Sequence, residues 1–240
     1  MSYDPRHLRY SSEGVPILSA AEIEAIADEV LQKHDAAALR KPTRAGVIEI
    51  LHTLEKEKGL KVIFADLGLR NEKKILGRMQ FPSKTIFLDN VLLAELEQSL
   101  RFTAAHELAH WVLHSYAWRK FWSTRAVEES LDDDDDSLFR LEQRSKSDWI
   151  EWQANVFASE LVMPRRAFPI AVAAIQSTLG MHKFLGEVWI SDHWRSRDDY
   201  LKICACLAEL FGVSRSAVEV RLRTLKLIHD QTAPKRPLAV

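Results

Sequence analysis

Apolar positions recur at helical spacing early in the chain. Ile23, Ile26, Ala27, Val30 and Leu31 share one face of a run that begins at Ser19, and Ser19-x-x-Glu22 has the form of a capping box. A second helix is predicted after Lys41-Pro42-Thr43, with Val47, Ile50, Leu51 and Leu54 inward and Gly59 as its stop. The period then shortens. Leu60–Phe64, Ile75–Phe81 and Lys84–Asp89 are short, rich in β-branched and aromatic residues, and read as strands. Pro82-Ser83 makes the last two a hairpin. From Phe102 to Tyr116 no Gly or Pro intervenes, and the Ala- and Leu-rich run predicts one continuous helix.

Further on, Trp149–Met163 is a helix closed by Pro164, and Ile170–Leu179 is another closed by Gly180. Residues 181–196 show no clear period. The last ordered part is predicted over Asp198–Ile228. The expected organisation is α+β, a small antiparallel sheet plus helices, with an N-terminal arm and helix at 1–40. A central domain follows at 41–180, with an acidic insertion at 119–147, and a helical region at 181–240. Residues 1–18 are expected to be a loose arm.

Composition narrows the class. The chain has 240 residues, 47% hydrophobic and 28% charged, as soluble globular proteins have. Its net charge is −1, so no global field draws it to nucleic acid or membrane. The polar first fourteen residues predict neither a signal peptide nor a membrane span. Cys204 and Cys206, two apart on a helix, point in different directions and read as buried apolar residues. A reducing, cytoplasmic setting is expected. Asp132–Asp136 reads as a solvated loop, since five adjacent carboxylates repel one another and lack the spacing and Gly of a calcium loop.

The chemistry lies in His106-Glu107-Leu108-Ala109-His110. On a helix His106 and His110 face one way, about 6 Å apart along the axis. Two imidazoles so placed can converge on one zinc ion, and Glu107 can reach a water on it. A catalytic zinc takes a third protein ligand. His114 continues the spacing but lies about 12 Å along the axis from His106 in a continuous helix, too far for one ion. Glu142, Asp148, Glu151 and Glu160 are all available downstream. Glu151 is favoured because Asn155 follows it at i+4, where an amide can steady a ligand imidazole. His114 and Tyr116 are candidates for oxyanion stabilisation.

Two blocks together resemble the ImmA/IrrE family of metallopeptidases. They are Arg101-Phe102-Thr103-Ala104-Ala105-His106-Glu107-Leu108-Ala109-His110 with Leu113-His114, and Glu151-x-x-Ala154-Asn155-x-Phe157-Ala158-x-x-Leu161-x-Met163-Pro164. The preceding hairpin matches the family's layout, and the resemblance covers residues 45–165. It implies a zincin-like fold with a gluzincin-type site. Zinc would sit on His106, His110 and Glu151, with Glu107 as general base and Asn155 behind a ligand histidine. It also implies cleavage of a helix-turn-helix repressor that controls a stress or mobile-element regulon. The acidic insertion is not part of the resemblance, nor is there room for the sensory domain of longer members. The Lys84, Thr85, Ile86, Phe87 and Leu88 strand is expected to offer an edge to an extended substrate.

Leu207–Val218 resembles a helix-turn-helix, with Gly212 ending one helix and Ser214 capping the next. Arg215, Arg221, Arg223 and Lys226 against Glu219 leave a local charge of four minus one, +3. Acidic residues nearly cancel this over the wider segment, a poor footprint for DNA. Partner docking is the favoured role for these helices, with DNA binding the other. A non-proteolytic binding module and a toxin-type component remain alternatives to the peptidase.

Overall fold

A computed structural model describes residues 3–70, 72–94, 97–123 and 145–232. The Asp132–Asp136 run and Glu142 lie outside the described residues. Helix α1 (Ala20–His34) opens with the Ser19/Glu22 capping box and buries Ile23, Ile26, Ala27 and Leu31. Helix α2 (Val47–Lys58) buries Val47, Ile50, Leu51 and Leu54 and ends at Gly59, whose φ of 67° is the left-handed turn that glycine enters without steric cost. Five strands follow: β1 (Lys61–Ala65), β2 (Leu69–Arg70), β3 (Lys73–Lys74), β4 (Gly77–Gln80) and β5 (Thr85–Asp89).

The β4–β5 hairpin is present, with Gly77 opposite Leu88 and Gln80 opposite Thr85. The sheet is mixed, however, not purely antiparallel. β1 runs parallel to β5, Lys61 opposite Thr85 and Ala65 opposite Asp89, giving the order β1-β5-β4. Thus β5 is the middle strand, bonded on both sides. The expectation that Lys84–Leu88 offers an edge to substrate is therefore corrected, since its backbone groups are already spent in the two ladders. The edge beside the helices belongs to β4. Asp89 closes β5 from within: one carboxylate oxygen accepts from Val91 N at 2.9 Å, the other from Leu67 N at 2.7 Å, and Lys74 Nζ stands 3.1 Å away.

Helices α3 (Val91–Ala94) and α4 (Glu97–Ala109) follow the sheet. The helix expected to run unbroken to Tyr116 changes form at His110. His110–His114 is a widened turn with i→i+5 bonding, a short α-helical α5 (Ser115–Ala117) intervenes, and Trp118–Trp122 widens again. Helix α6 (Lys146–Val162) starts from a Ser145/Asp148 capping box and packs along both α4 and α1. Helices α7 (Phe168–Thr178), α8 (Trp194–Phe211) and α9 (Arg215–Thr224) complete the chain, with strands β6 (Val188–Ile190) and β7 (Ile228–Asp230) paired in parallel. That pairing orders part of the 181–196 stretch that lacks a period. No helix among the described residues is long and apolar enough to cross a membrane.

One hydrophobic cluster runs from Leu18 through α1, α2, the sheet, α4 and α6 to Leu222 of α9. Residues 3–18 are not a loose arm. Val15 joins Ala117, Trp122 and Ile150 in a second cluster, Trp122 Nε1 donates to Glu13 O at 2.8 Å, and Tyr10 bridges to Pro16. The helix-turn-helix-like pair is tied down by a buried ion pair. Arg221 of α9 meets the Glu160 carboxylate of α6, and its Nε donates to Met163 O at 3.0 Å.

Candidate metal centre

Helix α4 presents His106, the widened turn that continues it opens with His110 one turn on, and α6 crosses them with Glu151 and Asn155 one turn apart. The crossing brings His106, His110 and Glu151 together, with one nitrogen or oxygen from each lying within 4.8 Å of the others. The two Nε2 atoms are 3.0 Å apart. Glu151 Oε2 is 3.0 Å from His106 Nε2, and Oε1 is 3.5 Å from His110 Nε2. Donors at about 2.0–2.1 Å from a tetrahedral zinc stand about 3.3 Å from one another, so this spacing suits that ion.

The donors are also oriented. Asn155 Oδ1 lies 2.9 Å from His106 Nδ1 and can only accept, so that nitrogen carries the proton and Nε2 keeps its lone pair. On the other ring, His110 Nδ1 meets His114 Nδ1 at 3.2 Å. Two imidazole nitrogens and one carboxylate oxygen, each imidazole held from behind, make a donor set that could hold a metal ion such as zinc.

Charge reinforces the arrangement. Burial pulls the His106 imidazolium down, but the hydrogen bond and charge of Glu151, with Glu107 nearby, outweigh it and raise its pKa to about 9. The same pull favours a cation at His106 Nε2, and a metal taking the lone pair of the neutral ring would displace a proton there. Burial, with His106 and His114 beside it, takes His110 well below the usual histidine range. Burial takes His114 down to about 4, against the bond from Gln153.

Glu107, next to His106 on α4, is 1% exposed and lies against the backbone of β4. A methyl group on Gly77 would sit 2.5 Å from Glu107 Oε1 and 2.9 Å from Thr103 Cγ2. Only glycine lets the edge strand approach this carboxylate so closely. The sequence reading missed Gly77; its one signal there was a glycine within a strand pattern.

The other candidates fall elsewhere. His114 is fully buried behind His110, its Nε2 3.0 Å from Gln153 Oε1, and does not belong to the metal-ready set. Tyr116 has its ring 6.0 Å from that of Tyr10 and under Lys120, beside the N-terminal segment. Asp148 is occupied in the α6 capping box and Glu160 in the Arg221 pair, which leaves Glu151 as the carboxylate at the centre among the described residues. Beside His110 and Glu151 the cavity is only about 20 Å³, walled by Met79 and Phe81. A larger cleft of about 560 Å³ opens at Gly212 between Arg44, Arg101 and Arg215 and contains none of the cluster.

The α+β architecture and the two-histidine helix crossed by a carboxylate helix define a zincin-like domain. The chain belongs to the peptidase M78 family, matching its IrrE N-terminal-like domain over residues 55–223. Among solved structures it is similar to a Mycobacterium tuberculosis transcriptional regulator, with 16% identity and a TM-score of 0.49. That likeness covers 91% of this chain and 48% of the other, so the chain spans about half the length of that regulator. No curated protein sequence matches it.

Proposed function

We propose that the protein is a zinc-dependent endopeptidase whose substrate is a helix-turn-helix transcriptional repressor. The observation that carries the catalytic part is the convergence of His106 Nε2, His110 Nε2 and the Glu151 carboxylate, with Glu107 buried beside them. His106, His110 and Glu151 would hold the zinc. When bound, zinc supplies a Lewis acid that polarises a carbonyl and lowers the pKa of water toward about 7. Glu107 accepts the proton of the attacking water and delivers it to the leaving amine. At about 20 Å³ the cavity beside the cluster holds little more than a water molecule, so a substrate peptide would lie along the surface next to it. Such a peptide adds to the outer edge of β4, where Gly77 lies against Glu107.

The repressor as partner is supported by family membership and by the C-terminal helices. Arg221 is spent on Glu160, and Arg223 lies 3.9 Å from Glu219, so α9 presents less free positive charge than its sequence suggests. That favours docking of a protein partner over reading of DNA. The protein is expected in the cytoplasm, where such a repressor acts.

The test is Glu107→Gln. It keeps zinc at one per chain and still binds the repressor, but cleavage of the purified repressor in a gel assay falls by at least about a hundredfold. Undiminished cleavage by this variant would remove the peptidase reading.

A further inference from the structure

Behind the metal centre a line of buried polar side chains runs from His110 to the main chain. His110 Nδ1 is 3.2 Å from His114 Nδ1, and His114 Nε2 is 3.0 Å from Gln153 Oε1. Gln153 Nε2 is 2.7 Å from the carbonyl oxygen of Pro16. His110, His114 and Gln153 are 5%, 0% and 1% exposed, so the groups have one another as partners rather than bulk water.

Read from its far end, the line admits one arrangement of protons for neutral rings. A peptide carbonyl only accepts, so Gln153 must turn its nitrogen to Pro16 and its oxygen to His114. His114 then carries its proton on Nε2, which leaves Nδ1 bare. Facing that lone pair, His110 must carry its proton on Nδ1. The one remaining lone pair on His110 is at Nε2, the atom 3.0 Å from His106 Nε2. The widened turn over His110–His114 sets the second ring behind the first, with centroids 5.3 Å apart. His106 reaches the same tautomer by another route, through Asn155.

We propose that His114 and Gln153 are positioning residues: anchored on Pro16 of the N-terminal segment, they hold His110 in the tautomer that offers Nε2 to the metal. This rests on the zinc-site reading above. It gives the segment around Pro16, remote from the cluster in sequence, a place in the metal centre's support.

Zinc affinity of the full chain, measured by competition with a chromophoric chelator, tests it. Nitrogen–proton correlation spectra of the zinc-loaded protein, reading the protonated nitrogen of His110, provide a second readout. His114→Leu removes the acceptor and weakens zinc by about 10- to 100-fold. His114→Asn places an oxygen where Nδ1 stood and stays within about threefold of the parent. Gln153→Leu weakens zinc in the parent but adds nothing in the His114→Leu background, because it acts through His114. Melting of the metal-free variants separates lost folding from lost affinity. Equal affinity in His114→Leu and the parent, equal loss in His114→Asn and His114→Leu, or additive effects of His114→Leu and Gln153→Leu would each overturn the proposal. A parent chain that binds no zinc, with His106→Ala as reference, overturns the zinc-site reading and this inference with it. A parent with stoichiometric zinc and indifferent variants overturns this inference alone.

Discussion

Gly77 of the edge strand lies against the carboxylate of Glu107, so close that one added carbon would come within 2.5 Å of Oε1 and 2.8 Å of Cγ. The strand that borders the site and the helix that carries it are thus in direct contact through a residue with no side chain. The position of the carboxylate depends on that contact. Gly77→Ala is expected to shift Glu107 or the strand, with a stability loss of about 1–3 kcal/mol from overpacking. Peptide cleavage should fall by about 10- to 100-fold while zinc content stays at one per chain. Denaturant melts, metal analysis and a cleavage assay read the three quantities; full activity in this variant would show that the approach is not needed.

Glu151 supplies the only carboxylate of the three-residue cluster. Glu151→Ala should hold well below one zinc per chain after dialysis, as should His106→Ala. Asn155→Ala leaves the three donors in place and should weaken zinc by about 10- to 100-fold. Metal analysis decides, and stoichiometric zinc in Glu151→Ala would move the third donor elsewhere.

Arg221 and Glu160 form a buried pair that joins α9 to α6, with side chains each 1% exposed. Arg221→Met leaves the Glu160 charge uncompensated and should cost about 3–5 kcal/mol in urea unfolding. Adding Glu160→Gln removes that charge and keeps an acceptor for Arg165 N, which bonds to Glu160 at 2.7 Å. Much of the loss should then be recovered. A double variant no more stable than Arg221→Met would place the cost in packing rather than charge.

Asp89 carries a pH signature. Burial works against its ionised form, but the backbone bonds from Leu67 and Val91, with Lys74, outweigh this and hold its pKa below the ordinary value. A carboxyl depressed in the folded state stabilises it fully above the unfolded pKa of about 4, and that contribution is lost as pH falls through the folded value. Asp89→Asn should therefore be less stable than the parent at pH 7, by about 1.5–3 kcal/mol, and the gap should close toward pH 2. Melting across that range tests the sign, and a gap that widens in acid would contradict it.

The motif helix was legible because its pattern is local. Four-residue spacing puts His106 and His110 on one face whatever surrounds them. The Glu151/Asn155 pair was legible for the same reason, as one face of a second helix. Capping signals at Ser19 and the glycine stops at Gly59 and Gly212 are equally local, and the structure shows each of them. Strand order was not legible. Placing β5 in the middle depends on parallel pairing with β1, across a separation in sequence that carries no periodic trace. The fate of Tyr116 and the ordering of residues 3–18 likewise depend on contacts between distant segments.

The sequence by itself determined which side chains could bind a metal and on which helical faces they stand, because helix geometry follows from local backbone preference. It also determined a plausible carboxylate for the third donor. Only the tertiary structure decided that α4 and α6 cross where the donors meet, and that β4 rather than β5 borders them. It alone set His114, already excluded as a ligand by helix geometry, directly behind His110. A widened helical turn, a peptide carbonyl at Pro16 and a buried ion pair at Arg221 arise when distant segments share one desolvated interior, where each polar group must find a partner.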